Sequence, residues 1–269
     1  MEKIIVMLAG LPGKMATLVA EAIVCQEDME LYSCALGKEG CIYNLTPVRD
    51  VQLFPAHMHE RVMRSANPPI NMIVDFTLPN LVNRNTELYC SMGVPFIMGT
   101  TGGNRQKLVE TIKASEISAV VDTNMAMPVV IFQAMVRFVA ENFKHSLEGF
   151  KLVIRESHQA QKLDLSGTAV SMLESFKALG IPFIKEQIIM VRDPVVQEVE
   201  MRIPVAYLSG HGYHTYTLLS PDGTVMLQFT HNILGRNAYI DGVLRAIRFL
   251  STHKGEKGKV FSMVDVLRG

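Results

Sequence analysis

Ile4-Ile5-Val6-Met7-Leu8-Ala9-Gly10-Leu11-Pro12-Gly13-Lys14-Met15-Ala16 is the stretch whose reading decides the fold. Its opening is an unbroken apolar run of strand length, the pattern of a parallel strand covered on both faces. A helical pattern follows through Val24. Between them, small residues at 10, 13 and 16 match the strand–turn–helix that seats a dinucleotide. Gly10 permits the tight turn, Gly13 lets a pyrophosphate approach the backbone, and Ala16 allows close helix–strand packing. Pro12 suits a turn or a first helical position. Leu11, Lys14 and Met15 complete the same candidate cofactor-binding turn.

Working outward, residues 31–36 read as a second strand that ends at Gly37-Lys38-Glu39-Gly40. An acidic residue usually stands at this strand end when NAD is the ligand. Here a 2′-phosphate would meet Lys38, which favours NADPH and leaves NADH open. Lys38 reads equally as a solvated loop cation. Residues 72–74 lead into Asp75-Phe76-Thr77-Leu78-Pro79, residues 94–98 into Gly99-Thr100-Thr101-Gly102, and residues 118–121 into Asp122-Thr123-Asn124-Met125. Helical segments at 80–91 and 105–115 separate these strands, which builds a doubly wound α/β sheet. Ligands of such sheets lie beyond the carboxyl ends of the strands. Phe76, Thr77, Gly99, Thr100, Thr101, Asn124 and Met125 are therefore candidate cofactor-binding residues. A helix is expected over 128–143, leading out of this first domain.

The pattern then changes. Strands are expected at 151–154, 186–191, 198–203, 213–219 and 225–230, with a turn at Ser220-Pro221-Asp222-Gly223 and one helix over 168–179. This reads as a mixed or antiparallel open sheet in a second α+β domain, suited to subunit packing. A helix over 236–250 returns toward the first domain. The expected division is a dinucleotide-binding domain of residues 1–125 completed by 236–269, and a substrate-binding and oligomerisation domain of residues 126–235.

Within the second half, Glu156-Ser157-His158-Gln159-Ala160-Gln161-Lys162-Leu163-Asp164-Leu165-Ser166-Gly167-Thr168 gathers the chemistry. His158 is a candidate for proton transfer and Lys162 a fixed cation. Ser166-Gly167-Thr168 forms a small-residue cradle at a helix start, where backbone N–H groups and the helix dipole suit a carboxylate or phosphate. Together they read as a site for a small acidic substrate. An ordinary polar loop with an N-capped helix is the plainer alternative. His211, His214 and His231 read as packing or interface residues, and His57, His59 and His253 as surface residues.

At 269 residues the chain suggests two domains. Its 48% hydrophobic content excludes disorder, and 26 basic against 26 acidic residues give no field for nucleic acid or an anionic membrane. Cys25, Cys34, Cys41 and Cys90 show no metal-ligand spacing, so no metal is expected. Nothing resembles a leader or a membrane-spanning run, so the reading is cytoplasmic, or plastid if a transit segment preceded residue 1.

These residues resemble the 4-hydroxy-tetrahydrodipicolinate reductases, long called dihydrodipicolinate reductases, of the diaminopimelate route to lysine. The similarity runs through the glycine turn, Val74-Asp75-Phe76-Thr77, Gly99-Thr100-Thr101-Gly102, the 156–168 segment, Gly235-Arg236 with Gly242, and Asp265-Val266-Leu267. The plant-type branch is the nearer match: Gln159 stands where the family commonly has a second histidine, and no proline precedes Ser166. The resemblance implies a Rossmann-type first domain, an NAD(P)H-dependent reduction of a cyclic imine dicarboxylate, and a homo-oligomer, tetrameric or dimeric. It implies His158 as general acid and Lys162 as carboxylate holder and proton-transfer aid. Gln159, Ser166, Gly167, Thr168 and Arg236 would bind substrate. Two other classes stay open: a non-catalytic relative acting as a scaffold, and a different nicotinamide dehydrogenase, for example one acting on an amino-acid aldehyde.

Overall fold

The computed structural model describes residues 2–46 and 49–269, which divide into two compact units: Met1–Met127 with Tyr239–Gly269, and Pro128–Ala238. In chain order the first unit contains β1 (Ile4–Ala9), α1 (Lys14–Val24), β2 (Met29–Leu31), β3 (Cys34–Leu36), β4 (Cys41–Thr46), β5 (Arg49–Phe54), α2 (His59–Arg64), β6 (Met72–Asp75), α3 (Val82–Ser91), β7 (Phe96–Met98), α4 (Arg105–Lys113) and β8 (Ala119–Val121). The chain continues through α5 (Met127–Asn142), β9 (Lys151–His158), α6 (Gly167–Ala178), β10 (Ile189–Val191), α7 (Pro194–Val199), β11 (His211–Leu219) and β12 (Met226–Leu234). It ends with α8 (Ile240–His253), β13 (Val260–Phe261) and α9 (Met263–Arg268).

The first sheet runs β13-β8-β7-β6-β1-β3-β5-β4, with β2 also pairing β1. Every pairing is parallel except β4 on β5. From β1 the chain winds outward through β3 and β5, then returns to β6 on the other side. The strand order reverses at β1/β6, the crevice where doubly wound sheets bind ligands. The strands that flank it, such as Val6 to Ala9 and Met72 to Asp75, are completely buried, as parallel central strands require.

Two details of this unit differ from the sequence reading. The expected strand over 31–36 is broken in two, because Tyr32 and Ser33 separate β2 from β3 and the backbone moves on to pair with β5. The β4–β5 hairpin had no counterpart in the expectation. His59, expected at the surface, is half-buried: its Nε2 lies 2.9 Å from the Phe54 carbonyl and 3.1 Å from that of Gly37, tying two strand ends together.

The second sheet has the order β10-β9-β11-β12, with β10 parallel to β9 and the other pairs antiparallel. Its register explains its chemistry. Side chains two apart on a strand share a face, so Leu152, Ile154, Glu156 and His158 of β9 form one row. Opposite them stand Leu218, Tyr216, His214 and Gly212 of β11, and beyond those Leu227, Phe229 and His231 of β12. The apolar end of this face packs against Ala169, Met172, Leu173 and Phe176 of α6 and Val136 and Ala140 of α5. Its other end carries Glu156 and the histidines. The opposite face is polar, with Arg155, Tyr213, Thr215, Thr217, Gln228, Thr230 and Asn232.

The expected strand over 198–203 is instead the end of α7 and a turn. Its alternation of Val199, Met201 and Ile203 is outweighed by a start signal: the Asp193 carboxylate accepts the Val195 N–H at 2.8 Å and Pro194 occupies the first turn. The strand expected over 186–191 begins only at Ile189, after a short helical turn at Lys185–Gln187. Conversely, β9 runs on to His158, past the expected end at 154, because pairing with β11 continues as far as Gly212.

Candidate active site

At the first sheet's switch point the glycines are sterically required. Gly10 has φ +112°, and a Cβ there would lie 2.5 Å from the Phe76 carbonyl oxygen. A Cβ on Gly13 would lie 2.7 Å from the Gly10 carbonyl oxygen, and one on Gly99 2.2 Å from the Phe76 ring. Gly10→Ala should therefore cost both stability and dinucleotide affinity, since its strain exceeds the ~1 kcal/mol of a tolerated left-handed residue. A purified Gly10→Ala protein that melts and binds NADPH like the parent would remove the turn from the site. Leu11 is buried, while Pro12, Gly13 and Lys14 are exposed and Met15 is half-buried at the start of α1. That helix has no side-chain cap and no acidic residue in its first turn, so its N–H groups suit an anion.

Asp75 joins the neighbouring loops. Fully buried at the end of β6, its carboxylate accepts from Thr77 N (2.8 Å) and Oγ1 (2.7 Å), Asn85 Nδ2 (2.8 Å), Tyr89 OH (2.8 Å) and Thr100 Oγ1 (3.3 Å). Burial raises the Tyr89 hydroxyl well above its ordinary pKa, with the Asp75 charge adding to this, so it stays a donor. Thr100 also reaches the Thr77 carbonyl at 3.2 Å. The structure thus brings Gly10, Phe76, Thr77, Gly99 and Thr100 together, with exposed Thr101 following. Lys38 is exposed just after Gly37, where a Cβ would lie 3.6 Å from the Leu11 carbonyl oxygen. Asn124 and Met125 are buried beyond β8; Asn124 Oδ1 accepts the Ala126 N–H at 2.8 Å, and a Cβ on Gly242 would lie 1.9 Å from the Met125 carbonyl oxygen. These residues fit a dinucleotide: a glycine-floored crevice, an uncapped helix start and hydroxyl-bearing loops.

In the second unit everything gathers on Glu156, which is 0% exposed. Its Oε1 takes Arg192 NH2 at 2.6 Å, and its Oε2 takes the Ser166 N–H at 2.8 Å. The Nε2 atoms of His158 and His214 lie 3.9 Å and 3.8 Å from that same Oε2. Nδ1–H of His158 donates to the His211 carbonyl at 3.2 Å, so both its ring nitrogens face inward. Gln197, itself buried, holds the His158 carbonyl at 2.7 Å.

Arg192 also staples the loop that follows β9, donating to the carbonyls of Lys162 (2.7 Å), Asp164 (3.4 Å) and Val191 (3.1 Å). Lys162 pairs with the exposed Asp164 at 2.8 Å, which holds that carboxyl below its usual pKa. Ser166 is the N-cap residue of α6 but makes no side-chain cap bond; Gly167 is exposed and Thr168 buried in the first turn, which carries no acidic residue. Gln159 is half-buried directly after His158. Arg236 sits at the same end of the sheet: a Cβ on Gly210 would lie 3.3 Å from its NH1, and Gly235 N donates to the Gly210 carbonyl at 3.1 Å.

Burial, then the charges of Lys162 and Arg192, push His158 down to about 4, and burial pushes His231 to about 4 as well. His214 is also held well below its ordinary value, chiefly by burial. These rings are neutral in the fold yet take protons below about pH 6.5 once unfolded. Their contribution to stability is therefore complete above about pH 6.5 and is lost as pH falls toward 4, by up to about 3 kcal/mol for a ring shifted this far. Thermal melts should show a midpoint that drops steadily across that window. A flat profile would mean the rings are charged in the folded state.

The donor atoms of Glu156, His158 and His214 lie within 4.8 Å of one another, close enough to hold a metal. Both Glu156 oxygens are already engaged, however, and Lys162 and Arg192 place positive charge around the cluster. The arrangement suits a proton better than a divalent cation. His214 was read from the sequence as a packing or interface residue, and Arg192, Gln197 and the carboxylates of Asp75 and Glu156 were given no role. Their signal lies in cross-strand register and in a charged residue on a buried row.

Residues 4–125 match the family model for the dihydrodipicolinate reductase N-terminus and residues 128–267 that for its C-terminus. A chloroplastic 4-hydroxy-tetrahydrodipicolinate reductase 1 of Arabidopsis thaliana is 38% identical over 98% of this chain and 77% of its own length. A probable chloroplastic reductase 1 of Oryza sativa subsp. japonica is 45% identical over 74% of this chain, a match spanning only 59% of the rice protein. Among solved structures, dipicolinate-bound dihydrodipicolinate reductase from Paenisporosarcina sp. TG-14 covers 98% of both chains at TM-score 0.66 and 19% identity, which speaks to the fold. The matches over both halves of the sequence, with the doubly wound sheet and the mixed sheet behind them, show that this chain belongs to the dihydrodipicolinate reductase family.

Proposed function

We propose that this chain is an oxidoreductase that reduces 4-hydroxy-tetrahydrodipicolinate to tetrahydrodipicolinate, within the diaminopimelate route to lysine. The family assignment supports this reaction. The observation within the site that supports it best is the convergence on Glu156 of His158, the Arg192-anchored loop bearing Lys162, and the start of α6.

The reaction takes in a hydride and a proton and releases water. When bound, the reduced nicotinamide supplies the hydride. The chain's own residues do the rest. Lys162 exchanges its exposed Asp164 partner for one substrate carboxylate, and charge-assisted bonds of this kind are roughly twice as strong as neutral ones. Ser166, Gly167 and Thr168 hold the other carboxylate at the helix start, with Gln159 and Arg236 as further donors. His158 supplies the proton that quenches the charge left by hydride addition. The first unit seats the dinucleotide on Gly10, Leu11, Pro12, Gly13, Lys14 and Met15, flanked by Phe76, Thr77, Gly99, Thr100, Thr101, Asn124 and Met125. Lys38, exposed after the end of β3, would meet a 2′-phosphate, which favours NADPH as the reductant.

In the assembled protein, a second copy covers the edge strand β12, whose Met226, Leu227, Phe229 and Leu234 are exposed in the single chain. The four free cysteines fit a reducing compartment, which cytoplasm and plastid stroma both provide. The test is oxidation of NADPH by purified protein on addition of the freshly made aldolase product of pyruvate and aspartate semialdehyde. Bound NADPH without turnover would sink the reductase reading in favour of a scaffold. A Lys38→Glu protein that kept its NADPH/NADH ratio would remove Lys38 from cofactor choice.

A further inference from the structure

The proposed reaction consumes a proton at every turnover, yet one ring nitrogen of His158 is taken up by a carbonyl and the other is buried. Its Nδ1–H is committed to the His211 carbonyl at 3.2 Å, and its Nε2 is buried without a hydrogen-bond partner. Beside it, His214 is 3% exposed, and both of its ring nitrogens lack partners. A buried polar atom left unsatisfied is destabilising, and such atoms call for an explanation.

We propose that Glu156 and His214 form a buried proton store that loads His158, with His214 acting as a positioning residue for the proton donor. This rests on the reductase reading above.

The geometry is that of a shared acceptor. The two Nε2 atoms stand 3.9 Å and 3.8 Å from the same Glu156 Oε2, and the rings meet edge to face at 5.1 Å and 71°. Because a carbonyl only accepts, Nδ1 of His158 carries hydrogen, and the neutral ring therefore points a bare Nε2 at a carboxylate. A proton placed there turns that opposition into the attraction of an ion pair at 3.9 Å. His214 Nε2 faces the same oxygen at 3.8 Å, so one proton can sit on either ring against one oxygen.

Every element around the pair bears on its charge. Glu156 and His158 come from β9, His211 and His214 from β11, and His231 from β12, stacked on His214 at 4.7 Å with Tyr216 OH 3.4 Å from its Nε2. Lys162 and Arg192 reach in from the loops after β9 and β10. Without substrate, burial and then these cations keep His158 neutral. A dicarboxylate held by Lys162 cancels that field, so substrate binding draws a proton from water onto the pair. His158 then turns about χ2 to deliver it. The proton that leaves is replaced through His214 and Glu156, so the site takes up one solvent proton for each hydride accepted. A Cβ on Gly212 would lie 3.1 Å from His158 Cε1, and the glycine keeps the ring's surroundings clear.

The experiment compares wild type, His214→Asn and His214→Gln on kcat and KM as functions of pH. It is combined with ¹⁵N-histidine NMR titration of the wild-type protein with and without dipicolinate. The expected result is a kcat loss of about tenfold or more in both variants, with KM within about twofold and the kcat–pH profile displaced by about half a unit or more. In the wild type, His158 and His214 should titrate as a coupled pair in two steps, both shifted upward by dipicolinate. Superimposable profiles in folded variants overturn the proposal. If neither variant folds, independent single-step titrations of the two rings overturn it. So does a zinc-dependent rise in melting temperature that His214→Asn abolishes, which would make the cluster a metal site. A wild type that fails to turn over rejects the reductase reading instead, and the titration still decides whether the pair is coupled.

Discussion

His158→Asn should lower kcat by about 10²–10⁴-fold, the range that a positioned general acid supplies, while leaving NADPH affinity unchanged. The reason is that no other titratable side chain can take its place cheaply. His214 is enclosed, Lys162 is paired with Asp164, and Gln159 carries no dissociable proton. Asn keeps much of the ring's volume and one polar group, so the fold should survive and the loss should fall on kcat. Lys162→Met should behave differently. It removes a carboxylate partner as well as the cation beside His158, so KM should rise along with the fall in kcat. It also lifts one of the charges that hold His158 down to about 4, and the pH profile should move upward. Steady-state kinetics across pH on the two variants measures both. An H158N protein within tenfold of wild type would eliminate His158 as the donor.

The largest effect on stability should come from Arg192→Met. Glu156 is fully buried and Arg192 is 17% exposed, so removing the guanidinium strands a carboxylate in the interior. Breaking such a pair from one side costs about 3–5 kcal/mol. The same guanidinium also holds the carbonyls of Lys162, Asp164 and Val191, so the loop that carries Lys162 loses its anchor. A drop of more than about 10 °C in melting temperature is expected for a unit of this size. Removing the charge from both sides, in Glu156→Gln with Arg192→Met, should restore part of it, because the penalty comes from the uncompensated ion. Melting curves of the two single variants and the double variant test this. Strict additivity would mean the pair contributes little beyond its contacts.

How much of this was legible in the sequence depends on distance along the chain. The glycine turn at Gly10 to Gly13, the strand ends at Asp75 and Gly99, and the loop from His158 to Thr168 are local patterns, and each was readable as it stands. The misreadings were local conflicts. Val199, Met201 and Ile203 alternate like a strand, but Asp193 and Pro194 had already started a helix. The continuation of β9 to His158 could not be read from polarity, because Glu156 and Ser157 look like loop residues until β11 pairs with them. Arg192 and Glu156 are 36 residues apart, and His214 meets Glu156 only through strand register. The sequence pointed to the residues proposed to face a ligand. It did not point to those that hold them in charge and place, since nothing short-range marks a partner.

The polar end of the second sheet is built on the same strand parity as its leucines, and this fixes more than appearance. Sliding β9 by a single residue against β11 would drive Glu156 and His158 outward together with Leu152 and Ile154. The apolar half would resist that slip on behalf of the ionisable half. Greasy contacts far from any chemistry thus act as the clasp that keeps the reactive row aligned, and loosening Leu218 or Phe176 should blur the site before it unfolds the protein.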